Sequence, residues 1–132
     1  MVQFIHTADW QIGKPYSRVQ DDEKRALLRR QRIETIRSIG ELVRDHDAQF
    51  VLVAGDLFDT DSPTKADVSA TCSAIGSLQV PVYVMPGNHD YAGPGSIWEQ
   101  EFFLRQQQDK AQNLHVLTRC EPVILDSAVL LP

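Results

Sequence analysis

The stretch "QFVLVA" at residues 49–54, followed at once by "GDLFD", limits the fold more than any other part of the chain. A near-continuous apolar run of this length reads as a strand of a parallel sheet. Strands covered on both faces lose the apolar–polar alternation that half-exposed strands keep. Asp56, Asp59 and Asp61 come directly after the run. Like charges so close repel each other, so a cation or plain water must offset them.

The flanking sequence fits the same architecture. "VQFIH" (2–6) is short and β-prone, and "VPVYVM" (80–85) is a third strand in which Pro81 is confined to the start or to an edge. Between the first two strands the pattern is helical from about Gln20 to Asp45. Leu28, Ile36, Ile39 and Val43 recur at helical steps there, with Leu27, Ile33 and Leu42 alongside. Asp21 or Asp22 is the expected cap. Val68, Cys72 and Ile75 step along a second helix, roughly 64–78. Ser96 and Glu99 have capping-box spacing ahead of Trp98, Phe102, Phe103 and Leu104. "LHVL" (114–117) and "PVILDSAVLL" (122–131) close the chain as strands. The order β-α-β-α-β-α-β-β specifies an α/β fold with a mostly parallel sheet and helices on its faces. Because the chain stops at Pro132 just after an apolar run, residues 1–132 are expected to be the N-terminal portion of a longer domain.

Composition excludes several classes. No apolar run approaches the ~20 residues of a membrane span, and the N-terminus lacks the features of a signal peptide. The expected location is therefore the cytoplasm. Cys72 and Cys120 share no C-x-x-C spacing and read as reduced, small apolar residues. The net charge of −5 argues against a general polyanion binder. From Lys24 to Arg44, however, seven basic residues (Lys24, Arg25, Arg29, Arg30, Arg32, Arg37 and Arg44) stand against two acids, Glu34 and Glu41. That stretch is either a solvated face or a basic surface for phosphates.

The chemistry-bearing residues fall just after the strands. In parallel α/β sheets, ligands bind beyond the carboxyl ends of the strands. The loop after the first strand carries Asp9 and Gln11, the second loop Asp56, and the third Asn88 and His89. Carboxylates, carboxamides and an imidazole suit Mn²⁺, Fe²⁺, Mg²⁺ or Zn²⁺. Turn and cap chemistry also favours these residue types, and it is the expected role of Asp59 and Asp61.

"DWQ" (9–11), "GDLFD" (55–59) and "GNHD" (87–90), in that order and each after a strand, resemble the first three motifs of calcineurin-like metallophosphoesterases. "FIHTADWQIGK" further resembles the SbcD branch, the nuclease subunit of a bacterial DNA-repair complex. The resemblance implies a metal-dependent nuclease with a layered metallophosphoesterase fold, incomplete at the C-terminus. Two divalent ions are implied, manganese first, with magnesium, iron or zinc as alternatives. Asp9 would bind the first metal, Asp56 would bridge both and Asn88 would bind the second. His89 would assist at the phosphorus or leaving oxygen, with Asp90 orienting it. Implied partners are DNA, an SMC-type coiled-coil ATPase and a second copy of the chain, with no membrane.

The sequence departs from that pattern in two places. Gln11 stands where the family has a histidine, and a carbonyl oxygen there predicts a weaker or differently selective first site. Nothing after "GNHD" fits the family's later metal-binding histidines, and His115 in "NLHVL" is a strand residue. The alternatives are a phosphatase or small-phosphodiester hydrolase, and a catalytically inactive binding domain. Trp10 and Tyr91 are candidates for stacking on nucleobases, though packing beneath the loop competes for Trp10. His6 reads as a core residue or one behind the metals, His46 as a surface residue at a helix end. Trp98, Phe102 and Phe103 read as packing.

Overall fold

The computed structural model describes all 132 residues, Met1–Pro132. β1 (Phe4–Thr7), β2 (Phe50–Ala54), β3 (Val82–Met85) and β4 (Leu114–Val116) form one sheet in that spatial order. All neighbours are parallel, with Ile5 beside Val51, Val51 beside Val82, and Val82 beside Leu114. Each crossover is made by a helix: α1 (Asp22–Asp45), α2 (Lys65–Gly76) and, after a single 3₁₀ turn at Ile97–Glu99, α3 (Glu101–Lys110). β5 (Val123–Ile124) and β6 (Val129–Leu130) form a separate antiparallel hairpin. No helix is long and apolar enough to cross a membrane.

α1 starts at the expected cap, and α2 has a side-chain cap of its own. The Asp21 carboxylate accepts the N–H groups of Glu23 and Lys24 at 3.0 and 3.1 Å. Thr64 caps α2 by accepting from Asp67 N–H at 3.1 Å. The expected capping box at Ser96 is not made. Glu99 binds the N–H of Gly95 instead, and the buried Ser96 hydroxyl has no partner, because the chain makes one 3₁₀ turn before α3 begins.

One cluster holds the core. Ile36, Ile39 and Val43 of α1, Val68, Cys72 and Ile75 of α2, and Phe103 of α3 meet Val51, Val53, Val82, Val84 and Leu114. The helices therefore gather on one face of the sheet. Alternate strand residues point to the other face, where the rings of Phe4, Phe50, Tyr83 and His115 form a row with centroids 5.0–6.0 Å apart, Phe4 stacked on Phe50, Tyr83 stacked on His115, and Phe50 meeting Tyr83 edge-on. A cavity of about 270 Å³ lies there between His6, Leu52, Tyr83 and Met85 and the C-terminal segment around Val129–Leu131. This places His6 on the face away from the helical core.

Three expected apolar positions of α1 lie outside the core, Leu42 near its C-terminal end among them. Leu27 and Leu28 stay exposed, because the N-terminal half of α1 lies over the loop after β1, not over the sheet. Arginines join the two. Arg25 Nη1 donates to Val19 O at 3.0 Å, Arg29 to the carbonyls of Lys14 and Pro15 at 3.3 Å, and Arg32 Nη1 to Trp10 O at 2.7 Å. Much of the basic helix face is thus committed to holding residues 10–19.

Candidate metal centre

Three loops leave the carboxyl ends of β1, β2 and β3 at one edge of the sheet, and hydrogen bonds knit them together. The first two run side by side in parallel register. Asp9 N–H donates to Gly55 O at 3.1 Å, Gln11 N–H to Asp56 O at 2.9 Å, Ile12 N–H to Leu57 O at 3.0 Å, and Asp59 N–H to Ile12 O at 2.9 Å. This extends the β1–β2 pairing past the strand ends as a bridge between Ile12 and Phe58. The acidic loops cannot drift apart without breaking that ladder.

Three residues of these loops hold left-handed backbone. Asp9, Gln11 and Asp56 have φ of 54°, 44° and 53°. Left-handed backbone is uncommon for residues other than glycine, and such strain concentrates at functional sites. Three of the six non-glycine residues with positive φ are candidate ligands. Gly55 (φ 90°) and Gly87 lie between the loops, and a Cβ on Gly87 would overlap Asp56 Oδ1 and its backbone nitrogen. Only glycine lets the third loop approach Asp56 this closely.

Asp56 is nearly buried, while Asp9, Asn88 and His89 are exposed at the same edge. The His89 N–H donates to Asp56 Oδ1 at 3.1 Å, which leaves Oδ2 available. The expected pairing of Asp90 with His89 is not formed. The fully buried Asp90 carboxylate instead accepts the N–H of Phe58 at 3.0 Å and of Gly87 at 2.6 Å. Asp90 is therefore a clamp between the second and third loops, and its carbonyl accepts Trp98 Nε1–H at 2.6 Å. Burial pushes the Asp90 carboxyl up and the Asp56 charge adds to this, while the N–H groups of Phe58, Gly87 and Leu57 oppose it. The imidazole of His89 has a different partner: Nδ1 lies 3.0 Å from Asp59 O. A carbonyl only accepts, so Nδ1 carries the proton and Nε2 is left for a ligand or substrate.

Burial decides between the readings of several other residues. Trp10 is buried, with Nε1–H on Thr7 Oγ1 at 3.1 Å, so it supports the first loop from beneath and offers no stacking surface. Tyr91 is 48% exposed and remains accessible. Trp98 and Phe103 are core, packed on Phe58 and on each other. His115 stacks on Tyr83 on the far face of the sheet, away from this edge. Cys72 is buried, but Cys120 is exposed.

A family profile described as calcineurin-like phosphoesterase matches residues 2–125. The chain belongs to the calcineurin-like phosphoesterases. For this phosphoesterase the four-stranded parallel sheet and its helices are the fold expected from sequence, and the family chemistry is metal-dependent phosphoester hydrolysis with two divalent ions. The donors at the knitted edge fit such ions. Asp9 and Asp56 supply carboxylates, Asn88 and Gln11 amide oxygens, and His89 an imidazole, a set that suits hard or borderline cations. No three His, Cys, Asp or Glu side chains converge in metal-binding geometry. A cation here would accordingly draw on the amide oxygens and on water.

Sequence reading alone passed over Lys14. Its ammonium donates to Gln11 Oε1 at 2.7 Å and lies 3.7 Å from Asp59 Oδ1. The available signal was the glycine at 13, which lets the chain turn back three residues after Gln11. Asp59 likewise does more than form a turn, since it faces Lys14 through its carboxylate and His89 through its carbonyl.

Proposed function

We propose that the chain is part of a phosphodiesterase that cleaves DNA, in the manner of the SbcD-type repair nucleases its first motif resembles. The observation that carries the phosphoester reading is the ladder Asp9–Gly55, Gln11–Asp56, Ile12–Leu57, which holds the acidic loops side by side with Asn88 and His89 next to them. The DNA preference is supported by "FIHTADWQIGK". Residues 1–132 would be the N-terminal portion of the nuclease domain.

Two divalent cations, manganese first, would supply positive charge to the phosphate and a more acidic water. Asp9, Gln11, Asp56 and Asn88 would hold them. The chain's own part is to fix these groups in space. Asp56 is held by the ladder on one side and by the His89 N–H on the other. His89, its Nδ1 proton held by Asp59 O, presents Nε2 to the phosphate or to the leaving oxygen. Asp90 keeps the second and third loops in contact. The basic helix contributes less to DNA binding than its charge count implies, since Arg25, Arg29 and Arg32 hold the first loop. The resemblance extends the proposal to an SMC-type coiled-coil ATPase partner and to a dimer.

A second reading, an inactive binding domain, is favoured by one observation: the Gln11 amide oxygen is already engaged by Lys14. Turnover of linear duplex DNA and of bis(p-nitrophenyl) phosphate by the full-length protein in Mn²⁺ separates the readings. Cleavage of both supports the nuclease, cleavage of the small ester alone indicates a different phosphodiester substrate, and cleavage of neither indicates the binding domain.

A further inference from the structure

Lys14 sits where the donor set is weakest. The loop after β1 turns back on itself between Gln11 and Lys14, with Lys14 N–H on Gln11 O at 3.2 Å. Left-handed backbone at Gln11 (φ 44°) and Gly13 (φ 90°) makes the turn possible. Arg29 then fixes its far end through Lys14 O. The turn carries the Lys14 ammonium over Gln11, where it donates to Oε1 at 2.7 Å. The Asp59 carboxylate stands 3.7 Å from the same nitrogen.

We propose that Lys14 is a built-in monovalent cation that occupies the Gln11 end of the metal centre and competes there with a divalent ion. The inference rests on the phosphoesterase reading and deepens it. A glutamine oxygen is a neutral donor, and an ammonium can satisfy it as well as a metal can. Once a divalent ion takes Gln11 Oε1, the displaced ammonium has a partner close by in Asp59. Asp59 also holds His89 through its carbonyl, so occupancy at Gln11 and the setting of His89 meet in one residue. The metal on the Asp9–Gln11 side is therefore exchangeable, whereas Asp56 and Asn88 meet no such competitor.

The test is calorimetric titration of the purified protein and its Lys14→Met and Lys14→Gln variants with MnCl₂, with folding checked by circular dichroism. Removing a positive charge at this range is expected to tighten the weaker Mn²⁺ site roughly tenfold. Lys14→Gln, which keeps a donor without the charge, should do the same. In metal-free protein, the Gln11 side-chain amide resonances should shift on Lys14→Met, a change independent of activity. Unchanged Mn²⁺ affinity overturns the proposal while leaving the phosphoesterase reading intact. Weakened affinity also overturns it, by showing that Lys14 orients Gln11 for the metal. No Mn²⁺ binding to any of these proteins or to Gln11→His would sink both.

Discussion

The backbone N–H of His89 donates to Oδ1 of Asp56 at 3.1 Å, so the third loop is hung on the carboxylate that the second loop presents. The contact joins a group suited to holding metal to a group suited to moving a proton. The two side chains should therefore fail differently when changed. Asp56→Asn should lose Mn²⁺ in calorimetry. His89→Ala should keep Mn²⁺ and lose turnover by about 10²–10⁴-fold, the usual range for a positioned acid or base. Equal metal loss in both would assign His89 to coordination alone.

Gly87 and Asp56 cannot both keep their places if residue 87 gains a Cβ. Gly87→Ala should lower the unfolding free energy by about 1–3 kcal/mol, as overpacking does. It should also shift the amide resonances of Asp56 and His89. Urea unfolding and two-dimensional NMR read both effects.

Arg32 holds the first loop through Trp10 O and through the Tyr16 hydroxyl. Arg32→Ala should destabilise by about 1–3 kcal/mol, since a half-buried carbonyl loses a charged donor. The exposed Arg30→Ala should stay within about 0.5 kcal/mol. Limited proteolysis within residues 10–19 should accelerate only in Arg32→Ala.

The two thiols differ in reach. Cys120 should react with Ellman's reagent in the native protein and Cys72 only after unfolding. Burial pushes the Cys72 thiol from 9.0 to about 11, with Lys110 pulling weakly the other way. A pKa raised on folding contributes stability below 9.0 that is lost as the pH climbs through about 11. Relative to Cys72→Ala, the wild-type protein should lose about 2 kcal/mol between pH 8 and pH 11, read by urea unfolding at each pH.

Much of the fold was legible because it is written in local patterns. The apolar runs at 49–54 and 80–85, the cap at Asp21 and the helical spacing of Ile36, Ile39 and Val43 are short-range signals, and each lies where expected. Leu27 and Leu28 misled because periodicity says that a face is apolar but not which neighbour it meets. The site was legible as a set of residue types behind strands. Asp90 was misassigned because adjacency in sequence suggested a partner for His89. Its carboxylate instead serves two backbone N–H groups, one of them at Phe58, far away in sequence.

The order of strands and helices, and the placement of acidic and amide groups after β1, β2 and β3, were determined by the sequence alone, because backbone pairing and burial act on runs of a few residues. Only the tertiary structure decided that Asp59 O holds His89, that Trp10 is buried and that Lys14 sits on Gln11. Each of these depends on loops distant along the chain, or on a turn closing back on itself, and no local pattern encodes which hydrogen-bond partner a loop will find.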